Sequence, residues 1–170
     1  DFQFAINELA ENATNIVLGA HLLDPRAMRD LPDGTILYNS EQVDDKSSWI
    51  NGPYMELLRR CTIWDYSEAN VARLQSRGVR RIQYVPVGYV PQLTRIPTVA
   101  HQDIDVLFYG AINERRKNIL EGLIARGLRI EFLSGVYREE RDRLIARAKV
   151  VLNMHYYDAS IFEIVRVSYL

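Results

Sequence analysis

A chain of 170 residues with 48% hydrophobic and 25% charged residues has an ordinary globular composition, which excludes extended disorder and suits one large or two small domains. The formal net charge of −1 gives no overall reason to expect binding to nucleic acid or to an anionic membrane. We expect no signal peptide; the sequence contains no apolar run near the roughly 20 residues of a membrane span, and its one cysteine, Cys61, cannot form an internal disulfide. We therefore expect a soluble, cytoplasmic protein.

Both ends of the sequence have the pattern of interrupted helices. Phe4, Ile6 and Leu9 follow the first residue at helical spacing, and residues 160–170 form another helix-like run without a stop signal. The simplest interpretation is a fragment of a longer protein. Apolar surface that missing strands would cover is then expected to favour self-association.

The first half of the chain predicts strands that alternate with helices. Pro53 suits the first turn of a short helix, Ser67 is a good N-cap for another, and Gly78 is placed to end that second helix. Strands joined through helices pair in parallel. The predicted strands cover residues 15–20, 35–38, 62–65 and 81–85, and the first helix covers residues 53–60.

A segment with three prolines, Pro86, Pro91 and Pro97, separates the two halves and reads as a linker. We place the domain boundary near residue 96, which gives domains over residues 1–96 and 97–170. The second half repeats the alternation, with Gly127 ending its first helix. Its predicted strands cover residues 104–109, 130–133 and 149–153, and its helices cover residues 114–126, 139–147 and 160–170.

Polar residues follow several of these predicted strands. In parallel α/β sheets, ligands bind beyond the carboxyl ends of the strands, next to helix N-termini. Gly110, Asn113 and residues 153–155 fall at those ends in the second half, and His21 follows the first predicted strand. The sequence therefore predicts a ligand site at the carboxyl edge of the second sheet.

Three short segments carry a resemblance to a known family. Residues 105–116 (DVLFYGAINERR), residues 153–155 with 161–166 (NMH and IFEIVR), and residues 84–89 (YVPVGY) resemble GT-B glycosyltransferases. They are closest to the bacterial branch of spore-coat CgeB-like, family 1-type enzymes. The resemblance implies an α/β fold of two Rossmann-like domains with parallel sheets, both incomplete here, which face each other across a cleft. It further implies that the second domain holds a nucleotide-sugar donor.

The resemblance also implies roles for individual residues. Backbone amides after Gly110, near Asn113, would receive the donor diphosphate, with positive charge from Arg115, Arg116 or Lys117. The remaining donor contacts would come from Asn153, His155, Glu163 and Arg166. Such enzymes usually bind no metal, and no cofactor is implied. The family carries a pair of glutamates in the region of Glu163, and the second of the pair would fall beyond Leu170. Which of the two Glu163 represents stays open.

The acceptor side offers several candidate bases. His21 suits proton removal from an acceptor hydroxyl, because the ordinary pKa of histidine is about 6.5. Glu41 is the second candidate and Asp65 a weaker one. Each site residue also has a plain structural interpretation: a structural histidine, a solvated helix start, or a surface ion pair. The run from Asp103 to Asp105 matches a metal-binding D-x-D pattern, but it begins a strand rather than ending one and is discounted.

The sequence thus predicts a glycosyltransferase that transfers a sugar from a nucleotide sugar to an unidentified hydroxyl acceptor. Two alternatives stay open. One is a non-catalytic nucleotide- or partner-binding module with the same fold, and the other is a nucleotide-sugar epimerase. The chain carries neither a P-loop nor a G-x-G-x-x-G fingerprint, which argues against an oxidoreductase.

Overall fold

The computed structural model describes residues 3–44, 47, 49–50, 52–156 and 164–167. The chain divides into two compact units, Asp1–Val87 and Gly88–Leu170. The proline-containing segment is divided between them: Pro86 belongs to the first unit, and the part from Gly88 onward belongs to the second, where Ile96 packs against the core. The boundary predicted from the sequence lies at the far end of the same segment.

The first unit is built on a four-stranded parallel sheet in the order β1-β2-β3-β4. The predicted strands are confirmed, with slightly different ends at three of the four. Leu37 and Ile63 lie opposite each other at the centre of the sheet. The strands are β1 (Ile16–Leu18), β2 (Ile36–Asn39), β3 (Thr62–Asp65) and β4 (Ile82–Tyr84).

Three helices cover one face of this sheet: α1 (Pro25–Asp30), α2 (Gly52–Arg60) and α3 (Glu68–Ser76). A parallel sheet whose strands follow in chain order, with right-handed crossovers, places its connecting helices on the same face. The buried core accordingly joins alternate strand residues to all three helices. Its main members are Met28, Leu37, Tyr54, Leu57, Leu58, Ile63, Leu74 and Val79.

The other face of the first sheet is more open. Ile36, Tyr38 and Trp64 alternate with the core residues along their strands and are only half-buried. Leu18, on the edge strand β1, is 63% exposed. The first sheet therefore packs mainly through one side.

The second unit contains a three-stranded parallel sheet in the order β6-β5-β7. Its strands are β5 (Ile104–Tyr109), β6 (Ile130–Leu133) and β7 (Ala148–Val151), and its helices are α4 (Glu114–Ile124), α5 (Arg138–Arg147) and α6 (Ile164–Val167). The sequence predicted β5 and β6 with their observed ends, because both are short buried runs bounded by turns.

The central position of β5 determines where the helices of the second unit lie. The chain leaves β5 toward β6 on one side and returns past β5 to β7 on the other, so right-handed crossovers place α4 and α5 on opposite faces. Two separate cores follow from this. One contains Phe108, Leu120 and Met154, and the other contains Ile104, Leu107, Leu133, Ile145 and Ala148.

The prediction of a helix at the start of the chain is wrong. Residues 3–10 are not helical, with a bend at Ile6 and Asn7, and Phe4 and Ile6 are exposed. Asn7 adopts a positive φ of 59°, which interrupts a right-handed helix. Asn15 also competes for the backbone, because its side chain accepts from the N–H of Ala10 and donates to the carbonyl of the same residue.

Two further differences concern helices. The sequence analysis missed α1, although Asp24 caps it through the N–H groups of Arg26 and Ala27 and Pro25 occupies its first turn. Of the helix predicted over 160–170, only α6 falls in the described part of the chain. Within the described ranges, no helix has the length and apolar character needed to cross a bilayer.

The burial pattern of the first unit predicts that two leucines differ greatly in their contribution to the free energy of unfolding. Leu37 is 1% exposed in β2, whereas Leu22 is 80% exposed. We expect Leu37→Ala to lower the free energy of unfolding of the first unit by about 2–5 kcal/mol, because it leaves a cavity. Leu22→Ala is the matched control and should change it by less than about 0.5 kcal/mol. Equal effects in urea denaturation would contradict the assigned core.

Candidate functional site

In the first unit, residues from two strand ends meet at the carboxyl edge of the sheet. His21 lies in a 3-10 turn (Ala20–Leu22) that follows β1, and Glu41 follows β2. Their side chains approach to 3.9 Å between Nε2 and Oε1 and are 15% and 42% exposed. The structure therefore brings together the two residues that the sequence analysis named as catalytic candidates.

Aromatic rings surround His21 on the inner side. The ring of His21 lies 5.5 Å from that of Trp49 and 6.4 Å from that of Tyr54, centroid to centroid. Burial raises the pKa of Tyr54 above its ordinary value, and the negative charges of Asp65 and Glu41 add to the effect. Sequence reasoning placed Tyr54 on a helix but had no signal for its contact with His21.

Asp65, the last residue of β3, is fully buried beside this pair and accepts three hydrogen bonds. The side-chain amide of Asn39 donates to its Oδ2 at 2.6 Å. The N–H of Ser67 and the amide of Asn70 donate to its Oδ1 at 2.8 and 3.0 Å. Burial raises the pKa of Asp65 to about 6, although these three hydrogen bonds each lower it. The three hydrogen bonds favour the ionised form and so oppose the effect of burial.

In the second unit, the strand order reverses about β5, because β6 pairs with one side of β5 and β7 with the other, so the carboxyl ends of β5 and β7 correspond to a topological switch point. Gly110 follows β5 with φ at 130°, a conformation that strains residues with a side chain. Asn113 then caps α4 by accepting from the N–H of Arg116 at 2.9 Å, and donates to the carbonyl of Tyr156 at 2.7 Å. The loops after β5 and β7 are thus bonded directly to each other.

Two arginines of α4 add to this connection. Arg115 donates to the carbonyl of His155 at 2.9 Å. Arg116 is 2% exposed and donates to the carbonyls of Ala111 and Met154. Its guanidinium also lies 5.2 Å from the ring centroid of Phe108 and 5.1 Å from that of Tyr156. The positive charge of Arg116 therefore points into the protein rather than toward solvent.

The other predicted donor residues fall in several environments. Lys117 is 55% exposed and lies 3.9 Å from Glu121. Asn153 follows β7, and its side-chain oxygen is buried without a hydrogen-bond donor in the described part of the chain. Glu163 lies outside the described residues, as does the side chain of Arg166, whose backbone is part of α6. Donor binding by these residues stays a prediction.

The two aspartates of the discounted D-x-D pattern lie at the amino end of β5, away from the switch point. Asp103 bonds Arg147 at 2.8 and 2.5 Å. Asp105 bonds Arg129 and also Lys149, the latter at 2.6 Å. These carboxylates thus form surface ion pairs. Among the described residues, no group of three or more metal-type ligands occurs.

Three proteins of Acanthamoeba polyphaga mimivirus are similar to this chain, each at 30% identity. Uncharacterized protein L140 matches over 106 residues, which are 59% of this chain and 34% of that protein. Uncharacterized protein L137 matches over 66% of this chain and 16% of its own length, and Uncharacterized protein L138 over 49% and 10%. The chain thus spans at most about a third of these relatives. No family model and no solved structure matches it.

The two neighbouring arginines of α4 give a matched test of the connection between the loops. Lysine cannot donate to two carbonyls in the forked geometry of Arg116, and its ammonium is harder to bury. We expect Arg116→Lys to lower the unfolding free energy of the second unit by about 1.5–3 kcal/mol. Arg115→Lys, at an exposed site, should cost less than about 0.5 kcal/mol. Equal losses in chemical denaturation would contradict the buried role of Arg116.

The ion pair of Asp103 predicts a pH-dependent contribution to stability. Hydrogen bonding to Arg147 lowers the pKa of Asp103 to about 2. A lowered folded-state pKa stabilises the protein above the unfolded-state pKa of about 3.9, and this stabilisation is lost as the pH falls toward 2. We expect Asp103→Asn to be less stable than wild type at pH 7, with the difference vanishing near pH 2.

The control for this titration is Glu139→Gln, because Glu139 is 90% exposed and 3.9 Å from Arg143. Thermal unfolding measured from pH 2 to pH 7 should show no comparable difference for that variant. A constant gap between Asp103→Asn and wild type across the same range would contradict the ion-pair assignment.

Proposed function

We propose that this protein is a metal-independent glycosyltransferase of the GT-B type, which transfers a sugar from a nucleotide-sugar donor to a hydroxyl acceptor. The observation that carries the proposal is the strand order β6-β5-β7, which puts a topological switch point at the ends of β5 and β7. Ligands of open α/β sheets bind at such points. The segments on either side of it are those whose sequences resemble the donor site of the family.

The chemistry of a nucleotide diphosphate suits this position in the second unit. The N–H groups at the start of α4, an eleven-residue helix, carry partial positive charge, although that of Arg116 is already bonded to Asn113. Gly110 permits close approach of the backbone to a ligand. Lys117, an exposed side chain next to Glu121, would supply positive charge for the departing diphosphate, and the buried oxygen of Asn153 suits a hydroxyl donor such as a ribose or sugar.

The first unit supplies acid–base chemistry. In the proposed reaction, the imidazole of His21 takes the proton of the acceptor hydroxyl as the oxygen bonds to the sugar carbon and the bond from that carbon to the diphosphate breaks. Glu41, 3.9 Å away, stabilises the imidazolium that forms. The surrounding rings of Trp49 and Tyr54 limit the positions that the imidazole can adopt.

One observation favours a second candidate, a non-catalytic nucleotide- or partner-binding module. Asn113, Arg115 and Arg116 are engaged with carbonyl groups of the chain itself. Fewer side chains at the end of β5 can then stabilise the charge that develops in a transition state. This candidate predicts binding of a nucleotide without turnover, and binding that is unaffected by the removal of His21.

The test combines binding with turnover. Uridine, guanosine, thymidine and adenosine diphosphates are screened by thermal shift, and the matching nucleotide sugars are assayed for release of the diphosphate. We expect one nucleotide to stabilise the protein, and His21→Asn to lower kcat by about 100-fold or more with little change in nucleotide affinity. His101→Asn, at an exposed histidine of the second unit, is the control and should leave kcat unchanged.

The outcomes separate the two candidates. Turnover that depends on His21 supports the glycosyltransferase. Nucleotide binding without turnover, equal in wild type and His21→Asn, supports the binding module. Neither binding nor diphosphate release with any of the four nucleotides would overturn the proposal of a donor site in the second unit.

A further inference from the structure

We propose that Asp65 is a positioning residue of the first unit: through Asn39 and Asn70, it fixes the main chain at Glu41 so that the Glu41 carboxylate lies beside His21. The catalytic meaning of the pair rests on the proposed function, whereas the positioning itself does not. Asp65 is argued to act through other residues and is not itself assigned a contact with substrate.

The first step of the argument concerns how Asp65 orients its two amide partners. A carboxylate accepts hydrogen bonds and donates none, so each amide must turn its NH₂ group toward it. Asn39 and Asn70 do so at 2.6 and 3.0 Å, from β2 and α3 respectively. The buried carboxylate therefore determines which way both side chains face. The oxygen of each amide then faces away from Asp65, where that of Asn39 accepts from the N–H of Glu41 and that of Asn70 accepts from the N–H of Val43.

The second step is that both amides also bond the main chain of Glu41. The carbonyl of Glu41 accepts from Asn70 at 2.8 Å and from Asn39 at 3.0 Å. Its N–H donates to the oxygen of Asn39 at 3.3 Å. Reversing either amide would place a donor where an acceptor is needed. The peptide groups around Glu41 are therefore bonded only while Asp65 keeps the amides in their present orientation.

The third step extends the support to the next turn of the loop. The N–H of Val43 donates to the oxygen of Asn70 at 2.9 Å, and its carbonyl accepts from Arg73 at 2.5 Å. Val43 is fully buried. The segment from Glu41 to Val43 is neither helix nor strand, so side-chain hydrogen bonds replace the backbone ladder that would otherwise hold it.

The chemical consequence lies in the position of the Glu41 carboxylate. Its side chain is 42% exposed, and an exposed side chain on an unrestrained loop samples many positions. With its main chain fixed, only its own torsions remain, and the carboxylate stays within reach of His21. A buried polar network of this kind orients the groups around it when every member is satisfied.

Ring ¹⁵N spectra of the histidines in the whole chain test this inference. We expect Glu41→Gln to shift the His21 ring signals, because it removes the neighbouring charge. Asp65→Asn should move these signals toward the Glu41→Gln values, because the NH₂ group of the new amide must replace one carboxylate oxygen and then faces the donor of Asn39 or those of Ser67 and Asn70. The double variant should match Glu41→Gln alone. His101 provides an internal reference that should not move.

A control separates positioning from general loss of stability. Leu37→Ala weakens the same core without touching the network, and should leave the His21 signals unchanged. If folded Asp65→Asn kept wild-type His21 signals, or if Leu37→Ala moved them equally, the inference would be overturned. Neither NMR result depends on sugar transfer. Unchanged His21 signals in Asp65→Asn would therefore leave the proposed function intact, and a lack of turnover would leave the positioning role of Asp65 intact.

A second measurement needs no variant. In the wild-type chain, the amide of Val43 lies outside regular secondary structure, and the network predicts that it exchanges with deuterium on the order of 100-fold or more slower than an open amide. Exchange at the unprotected rate in the folded protein would overturn the inference even if Asp65→Asn did not fold.

Discussion

The buried carboxylate of Asp65 is the constraint on which the first unit depends. It is fully removed from solvent at the end of β3, and the cost of burying such a charge must be offset by hydrogen bonds. Asn39 and Asn70 supply two of them, from a neighbouring strand and a helix, and Ser67 supplies the third. The same contacts join three elements at the edge of the sheet where His21 and Glu41 meet, so stability and site geometry share one set of interactions.

The second unit also has polar groups at its sheet edge that need hydrogen-bond partners, but here they are carbonyl groups that need donors. The loops after β5 and β7 carry carbonyl groups that need donors, and Arg116 and Asn113 supply them from the start of α4. This gives a well-defined surface at the switch point but directs the charge of Arg116 inward. A ligand there would meet backbone N–H groups, Asn153 and Lys117 rather than a row of cations. In the proposed donor site, the N-terminus of α4 would therefore contribute more to the binding of a diphosphate than cationic side chains would.

The sequence could predict the features that depend on residues close together in the chain, and it could not predict those that depend on distant contacts. The strands over 62–65, 104–109 and 130–133 follow from short buried runs between turns, and Ser67 marks the start of α3. The helix expected at the start of the chain was predicted wrongly, because apolar spacing outweighed the turn-forming Asn7. The inward orientation of Arg116 depends on the carbonyl of Met154, 38 positions along the chain, which no local pattern encodes. His21 and Glu41 were separate candidates in the sequence, and only the parallel order of β1 and β2 joined them as a pair.

The most direct test of this account is the titration of Asp65 by its ¹³C carboxyl signal in the folded protein. Dehydration at the end of β3 predicts a pKa near 6, well above the ordinary aspartate value of about 3.9. A titration near 6 in wild type would support the burial of this carboxyl group. Because each hydrogen bond to it lowers the pKa, Asn70→Ala should titrate above wild type, and an unchanged titration in that variant would contradict the network from which the site of the first unit is built.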